Sequence, residues 1–302
     1  MSRSWILRGL TLSVAVAVAG LPLAAQRNKR YEGIRWVRSY QEALAEGRDR
    51  GCPVLAVITN NQAHEDVTKI IHGDKNVIRA TKYLVCVVAH NDYKSKEKPK
   101  KGQKREEMVA DIYGDLKIKD LIKNYSTLNT RFVRYTVVQT VQFPIHIYVD
   151  PMNDEELFRR LGGLTRKEML YDLKRAQKLV GKGISEKLAK YVRKKIDETR
   201  ALISKGQFDR ATELLTDFQS FEKKYAKRCK SVLIKEGREL IGELESKGSD
   251  LIRDARIQAE NGNFDKAEHL LERVYREFRP FDISDKARKV LIEVKKQKAR
   301  GS

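Results

Sequence analysis

Residues 39–59 read SYQEALAEGRDRGCPVLAVIT. The tract divides into two kinds of pattern. From Ser39 to Arg50 the spacing is helical, with Ser39 placed to cap the N-terminus and Tyr40, Ala43 and Leu44 on one face. Gly51-Cys52-Pro53 ends that helix. Val54 to Thr59 is then a short unbroken apolar run, β-branched at Val54, Val57, Ile58 and Thr59. A run of that length without alternation predicts a strand covered on both faces, as in a parallel sheet.

Working outward, Val67, Ile70, Ile71, Val77 and Ile78 are the apolar positions of a following helical stretch, and Tyr83 to Ala89 (YLVCVVA) is a second buried strand. Strand, helix, strand makes a parallel crossover unit. Thr136 to Asp150 (TVVQTVQFPIHIYVD) reads as strand on either side of Phe143-Pro144. Asp150-Pro151-Met152-Asn153-Asp154 is turn chemistry, after which the chain resumes through Leu157 to Leu161. Gly162-Gly163 precedes a helix from Thr165 to Val180, where Thr165 and Glu168 match a capping box.

In that order, these segments resemble the thioredoxin-like fold. SYQEALAEGRDRGCPVLAVIT looks like the front end of exported members, TVQFPIHIYVDP like the strand bearing the family's cis-proline, and LGGLTRKEMLYDLKRAQK like the closing glycine and helix. The resemblance implies an α/β domain over residues 34–180, with a central mixed sheet flanked by helices and Pro144 as the cis-proline. It also implies where redox chemistry would sit: at a helix N-terminus after the strand Val54–Thr59, carrying Cys-x-x-Cys. There the helix dipole and backbone donors lower a thiol's pKa. This chain has Asn60-Asn61-Gln62-Ala63-His64-Glu65-Asp66 instead. Asn61, Gln62, His64 and Glu65 thus occupy a degenerate redox site, and no side chain among them can form a mixed disulfide.

The three cysteines, Cys52, Cys86 and Cys229, form no CxxC and no metal-ligand spacing. They read as buried thiols acting as small hydrophobes. His64, His72, His90 and His146 show no recurring ligand spacing. A pairing of His64 with His146 across the redox-site face, for metal or acid–base work, is the one histidine constellation the resemblance would permit. No catalytic residue, metal site or cofactor is expected.

Residues 91–125 form a connection longer than the family's. Tyr93 to Arg105 carries seven basic residues (Lys94, Lys96, Lys98, Lys100, Lys101, Lys104 and Arg105) against one acid, Glu97. Pro99 and Gly102 oppose helix, so this is a solvated loop able to grip a polyanion electrostatically. Tyr93 is its one aromatic, too little for stacking on nucleic-acid bases.

After Gly181-Lys182-Gly183 the period becomes helical throughout, giving an all-α region over 184–302. Gly206-Gln207-Phe208-Asp209-Arg210-Ala211 and Gly262-Asn263-Phe264-Asp265-Lys266-Ala267 repeat 56 residues apart, each followed by Leu-Leu after two residues. The glycine allows a left-handed turn, the aromatic is expected to pack on the preceding helix, and the alanine permits close approach. The units resemble the turn and second helix of a tetratricopeptide (TPR) repeat at a longer period. A plain antiparallel bundle is equally compatible. Ser284 is placed to cap the last helix.

At the other end, Met1 to Gly9 holds Arg3 and Arg8, Leu10 to Ala25 is almost wholly apolar, and Gln26 opens a polar run. This is the pattern of a cleavable signal peptide over 1–25, so a secreted or periplasmic location is expected. The net charge of +21 falls to +19 when Arg3 and Arg8 leave with the leader. The excess is spread over both regions: 30 basic against 20 acidic residues in 26–180, and 30 against 21 in 181–302.

The expected function is therefore an exported, non-catalytic thioredoxin-fold protein that binds or scaffolds protein through its helices. The alternatives are a thiol–disulfide oxidoreductase or thiol chaperone using Cys52 or Cys86, and a polyanion-binding envelope protein. No nucleic-acid motif and no membrane span beyond the leader is read.

Overall fold

A computed structural model describes residues 33–60, 74–94, 98–110, 113–133 and 142–301. The leader, Asn61 to Gly73 and all of Thr136 to Val141 lie outside these. The first part of the chain runs β1 (Trp36–Val37), α1 (Tyr40–Arg50), β2 (Val54–Thr59), α2 (Lys75–Thr81), β3 (Val85–His90), α3 (Ile118–Leu128), β4 (Ile145–Asp150), β5 (Glu155–Leu161) and α4 (Arg166–Val180). Five helices follow: α5 (Glu186–Ser204), α6 (Phe208–Tyr225), α7 (Val232–Glu260), α8 (Phe264–Glu277) and α9 (Asp282–Gly301).

The sheet order is β1-β3-β2-β4-β5. β1, β3 and β2 run parallel; β4 is antiparallel to β2, and β5 to β4. It is the mixed sheet flanked by helices that the resemblance implies. Every residue of β2 and β3 is buried, which is why neither strand alternates. Leu55, Val57, Val88 and Tyr148 pack on one side with Val77 of α2 and Met169 and Leu173 of α4. Val54, Ala56, Val87 and Ile147 pack on the other with Tyr40 and Leu44 of α1 and Leu128 of α3. Each such side chain removed from water contributes roughly 1.5–3 kcal/mol before entropy is charged against it. The edge strand β5 is only half-buried and carries Arg159 and Arg160, charges that discourage further strand addition.

Ser39 accepts a bond from Glu42 N at the start of α1, and the reciprocal Thr165–Glu168 box caps α4. Several expectations need correction. The second strand begins at Val85, not Tyr83, because the amides of Tyr83 and Leu84 are spent on the carbonyls of Ala80 and Thr81 in a turn. The long connection after β3 ends in a helix: α3 starts at Ile118, with Asp120 accepting from Lys117 N, and buries Ile118, Leu121, Asn124 and Leu128. Ser284 does not cap α9. That helix starts at Asp282, and the Ser284 hydroxyl donates to the Tyr275 carbonyl at 2.8 Å.

The two repeat turns adopt one conformation. Gly206 and Gly262 have φ of +70° and +79°. Gly206 N bonds Ile203 O and Gln207 N bonds Leu202 O; Gly262 N bonds Ala259 O and Asn263 N bonds Gln258 O. This is the six-to-one closure that uses up the last carbonyls of a helix. A Cβ on either glycine would meet nothing within 4 Å, so it is the backbone angle, not space, that requires glycine. In the first copy the Phe208 ring is buried in the same core as Leu202 and Ile203 of the preceding helix and also lies 4.9 Å from the ring of Phe278, just past the end of α8.

Residues 33–302 make one compact unit, and the end of α1 is the junction. Arg50 is buried; its guanidinium donates to the carbonyls of Ile184 (3.1 Å), Leu84 (3.2 Å) and Lys82 (2.6 Å) and to Glu46 (3.0 Å). Its own carbonyl accepts from Ile184 N at 2.8 Å. Asp49 pairs with Arg193 of α5, which also reaches Glu236 of α7 at 2.6 Å. Gly51, at φ +64°, lies so close to the chain entering α7 that a Cβ would stand 2.8 Å from both Cys229 Sγ and Ser231 N.

Candidate functional site

The resemblance directs attention to the C-terminal end of β2 and the start of β4. Thr59 is fully buried there, and the Phe143–Pro144 peptide is cis. The Pro144 carbonyl accepts from Gly162 N at 2.9 Å, which ties the start of β4 to the end of β5. Asn61, Gln62, His64 and Glu65 lie outside the described residues, so the degenerate redox site and the His64–His146 pair have no geometry here.

His146 stands opposite Val57 of β2 and Arg160 of β5. Strand alternation puts it on the α2/α4 side of the sheet with Tyr148. Its ring is buried, and neither nitrogen has a hydrogen-bond partner among the described residues. Burial alone pushes its pKa down to about 4, so the ring is neutral at physiological pH. Thr59 pairs in register with His90 on the same side. The His90 Nδ1 accepts from Asp92 N at 3.3 Å, and its ring meets Tyr93 edge-on at 5.4 Å. Among the described residues no group of three or more His, Cys, Asp or Glu could hold a metal ion.

All three cysteines are free thiols in the interior. Burial pushes Cys52 and Cys86 up to about 12, and burial likewise raises Cys229. Cys86 is held inside β3, and the Cys229 thiol points at the Arg50 carbonyl at 3.5 Å in the junction. A thiol so placed has almost no thiolate to attack with at neutral pH.

Of the basic loop, Lys94, Lys98, Lys100, Lys101, Lys104 and Arg105 are exposed, and Lys96 lies outside the described residues. The five described lysines make no ion pair with another described residue, whereas Arg105 donates to the Tyr93 carbonyl at 2.9 Å. In the helical region a cleft of about 620 Å³ opens between α7 and α8, lined by Ile257, Leu270, His269 and charged neighbours. Nothing in the sequence brings together Arg253, Arg256, Lys286 and Lys289, yet the fold places all four around one cleft between α7 and α9. Their spacing of three within each helix was visible; the facing of the two helices was not. No described helix is long and apolar enough to cross a membrane.

No family model matches the chain, and no curated protein matches it. Among solved structures it is similar to the solution structure of a thioredoxin from Thermus thermophilus, at 19% identity over 47% of this chain and 86% of that one, with a TM-score of 0.31. Strand order and polarity, rather than this likeness, define the α/β half.

Proposed function

We propose that the chain is an exported, redox-inactive thioredoxin-like domain joined to a TPR-like helical array, and that it binds a protein partner. The burial of all three sulfurs carries this reading, because thiol–disulfide exchange needs an accessible thiolate. The matching Gly206 and Gly262 turns support a repeat of helical hairpins, α5 with α6 and α7 with α8. The shared junction at Arg50 supports a rigid platform, a form suited to presenting a surface rather than to opening and closing. Export rests on the leader pattern over 1–25.

The test is thiol chemistry on the mature protein. Alkylation of Cys52, Cys86 and Cys229 at pH 8 is expected to proceed only as fast as unfolding, and insulin reduction to stay at background. Rapid labelling of a single cysteine in the folded state, with turnover lost on its replacement by serine, would sink the reading. The exposed lysines of the 94–105 loop favour a second reading, polyanion binding. Retention on heparin that weakens steeply with salt, and is lost with Lys98→Glu/Lys101→Glu, would support it.

A further inference from the structure

Helices α7, α8 and α9 pack against one another, and two of their seams treat charge in opposite ways. The α8–α9 seam is closed by unlike charges. Lys295 reaches Glu272 at 3.1 Å, and Lys298 reaches Asp265 at 2.5 Å and Glu268 at 3.4 Å. Across the α7–α9 seam, Arg253 and Arg256 share a cleft of about 390 Å³ with Lys286 and Lys289. Glu293 is the one acid lining it. Arg253 is partly answered by Asp250 on its own helix, at 3.0 Å. Arg256, Lys286 and Lys289 form no ion pair with any described residue. All four cations are exposed, while Ile252, Ile283 and Val290 form a buried apolar floor beneath them.

Like charges gathered on both walls of a cleft repel one another, and an anion between them removes that repulsion. The apolar floor narrows the class of anion. A plain polyanion gains nothing from Ile252, Ile283 and Val290, and the cleft has no aromatic on which a base could stack. The cations recur one helical turn apart on each wall, the spacing at which carboxylates recur on a helical peptide. Apolar floor, cationic walls and helical spacing are the features by which a groove accepts an amphipathic helix.

We infer that the α7–α9 cleft receives an acidic amphipathic helical segment of a partner protein. Its apolar side chains seat on Ile252, Ile283 and Val290, and its carboxylates pair with Arg253, Arg256, Lys286 and Lys289. The inference rests on the reading of the chain as a protein-binding module, and names where and what it binds.

The probe is a synthetic helical peptide with Glu and Leu on one face. Its comparators are a scrambled peptide of the same composition and a heparin oligosaccharide of matched charge. Binding to the full mature chain is followed by fluorescence anisotropy across a salt series. The patterned peptide is expected to bind, to lose about tenfold in affinity with Arg256→Glu/Lys289→Glu, and to stay within about twofold with Lys98→Glu/Lys101→Glu. Circular dichroism and the thermal midpoint check folding, and Arg256→Gln/Lys289→Gln substitutes should the reversed charges unfold the chain. Equal binding of the scrambled peptide, or equal losses from the cleft and loop variants, overturns the inference, because either result describes a generic basic surface. A partner crosslinked in the native compartment as well by the cleft variant as by the wild type overturns the cleft alone. Absence of any crosslinked partner from both overturns the binding-module reading with it.

Discussion

The sheet half and the helical half of this chain treat polar side chains differently. The sheet half buries ionisable and amide groups: Arg50, His90, Asn124, His146 and Asp172 are all in the interior. The helical half buries only hydroxyls, those of Thr199, Thr212, Ser231 and Ser284, and sends its surplus cations to the surface. A buried hydroxyl is satisfied within its own or a neighbouring helix, as Thr199 is by the Lys195 carbonyl. A buried guanidinium or amide needs partners from several elements: Asn124 donates to Arg38 O and Val88 O, and Asp172 accepts from Arg160. The lesson is that the sheet half depends on long-range polar geometry and the helical half on apolar periodicity.

The sharpest way to break that contrast is at Arg50. Arg50→Ala leaves the carbonyls of Lys82, Leu84 and Ile184 without their donor and Glu46 short of a partner. A loss on the order of 3–5 kcal/mol is expected in urea unfolding, because breaking a buried charged network strands its remaining members. Splitting of the single transition into two would place Arg50 as the tie between the halves; an unchanged midpoint would remove it from that role.

The next effect in size is a pH dependence centred on a histidine of the sheet half. His146 has a folded pKa of about 4 against about 6.5 when unfolded. Between these values the unfolded chain takes up a proton that the folded chain refuses, so stability falls as pH drops from about 6.5 to about 4 and is flat above. The full effect is on the order of 3 kcal/mol. Paired carboxylates contribute as well, because hydrogen bonds and neighbouring cations outweigh desolvation. Glu46, Glu168 and Glu236 sit below the usual carboxylate value and cost stability when they protonate at lower pH. The difference between wild type and His146→Leu isolates the histidine: the variant should lose the fall between pH 6.5 and 4. Parallel profiles would show that the ring is solvated in solution.

The smallest effect belongs to the helical half. The Thr212 hydroxyl reaches the carbonyls of Asp209 (2.6 Å) and Glu277 (3.0 Å). Thr212→Val keeps the volume and should cost about 1 kcal/mol by chemical denaturation, the net worth of one neutral hydrogen bond. A cost near that of Arg50→Ala would erase the distinction between the two regions.

Much of this was legible along the chain. The runs Val54–Thr59 and Tyr83–Ala89 read as strands covered on both faces, the second two residues early at its start and one at its end, Ser39 and Thr165 announced their helices, and Gly206 and Gly262 announced the same turn twice. The α3 signal was present in Ile118, Leu121 and Leu128, but it lay behind a lysine-rich stretch that favours loop. β1 offered almost no signal: Trp36 and Val37 are strand because they pair with Cys86 and Val87. The candidate redox site was legible as a substitution of residue types. The burial of the three thiols was legible too, from their apolar and helical surroundings, whereas the isolation of the His146 ring was not.

The order of residues alone determined most local elements, β1 excepted, since caps, glycine turns and apolar periods act over a few neighbouring positions. It also fixed the absence of paired cysteines after Thr59. Tertiary packing decided the rest. It carried Arg50 to carbonyls up to 134 positions away and brought Arg253 and Arg256 round to face Lys286 and Lys289. Desolvation and facing charge are properties of a shared volume, and two residues far apart in sequence share a volume only once the chain has closed around them.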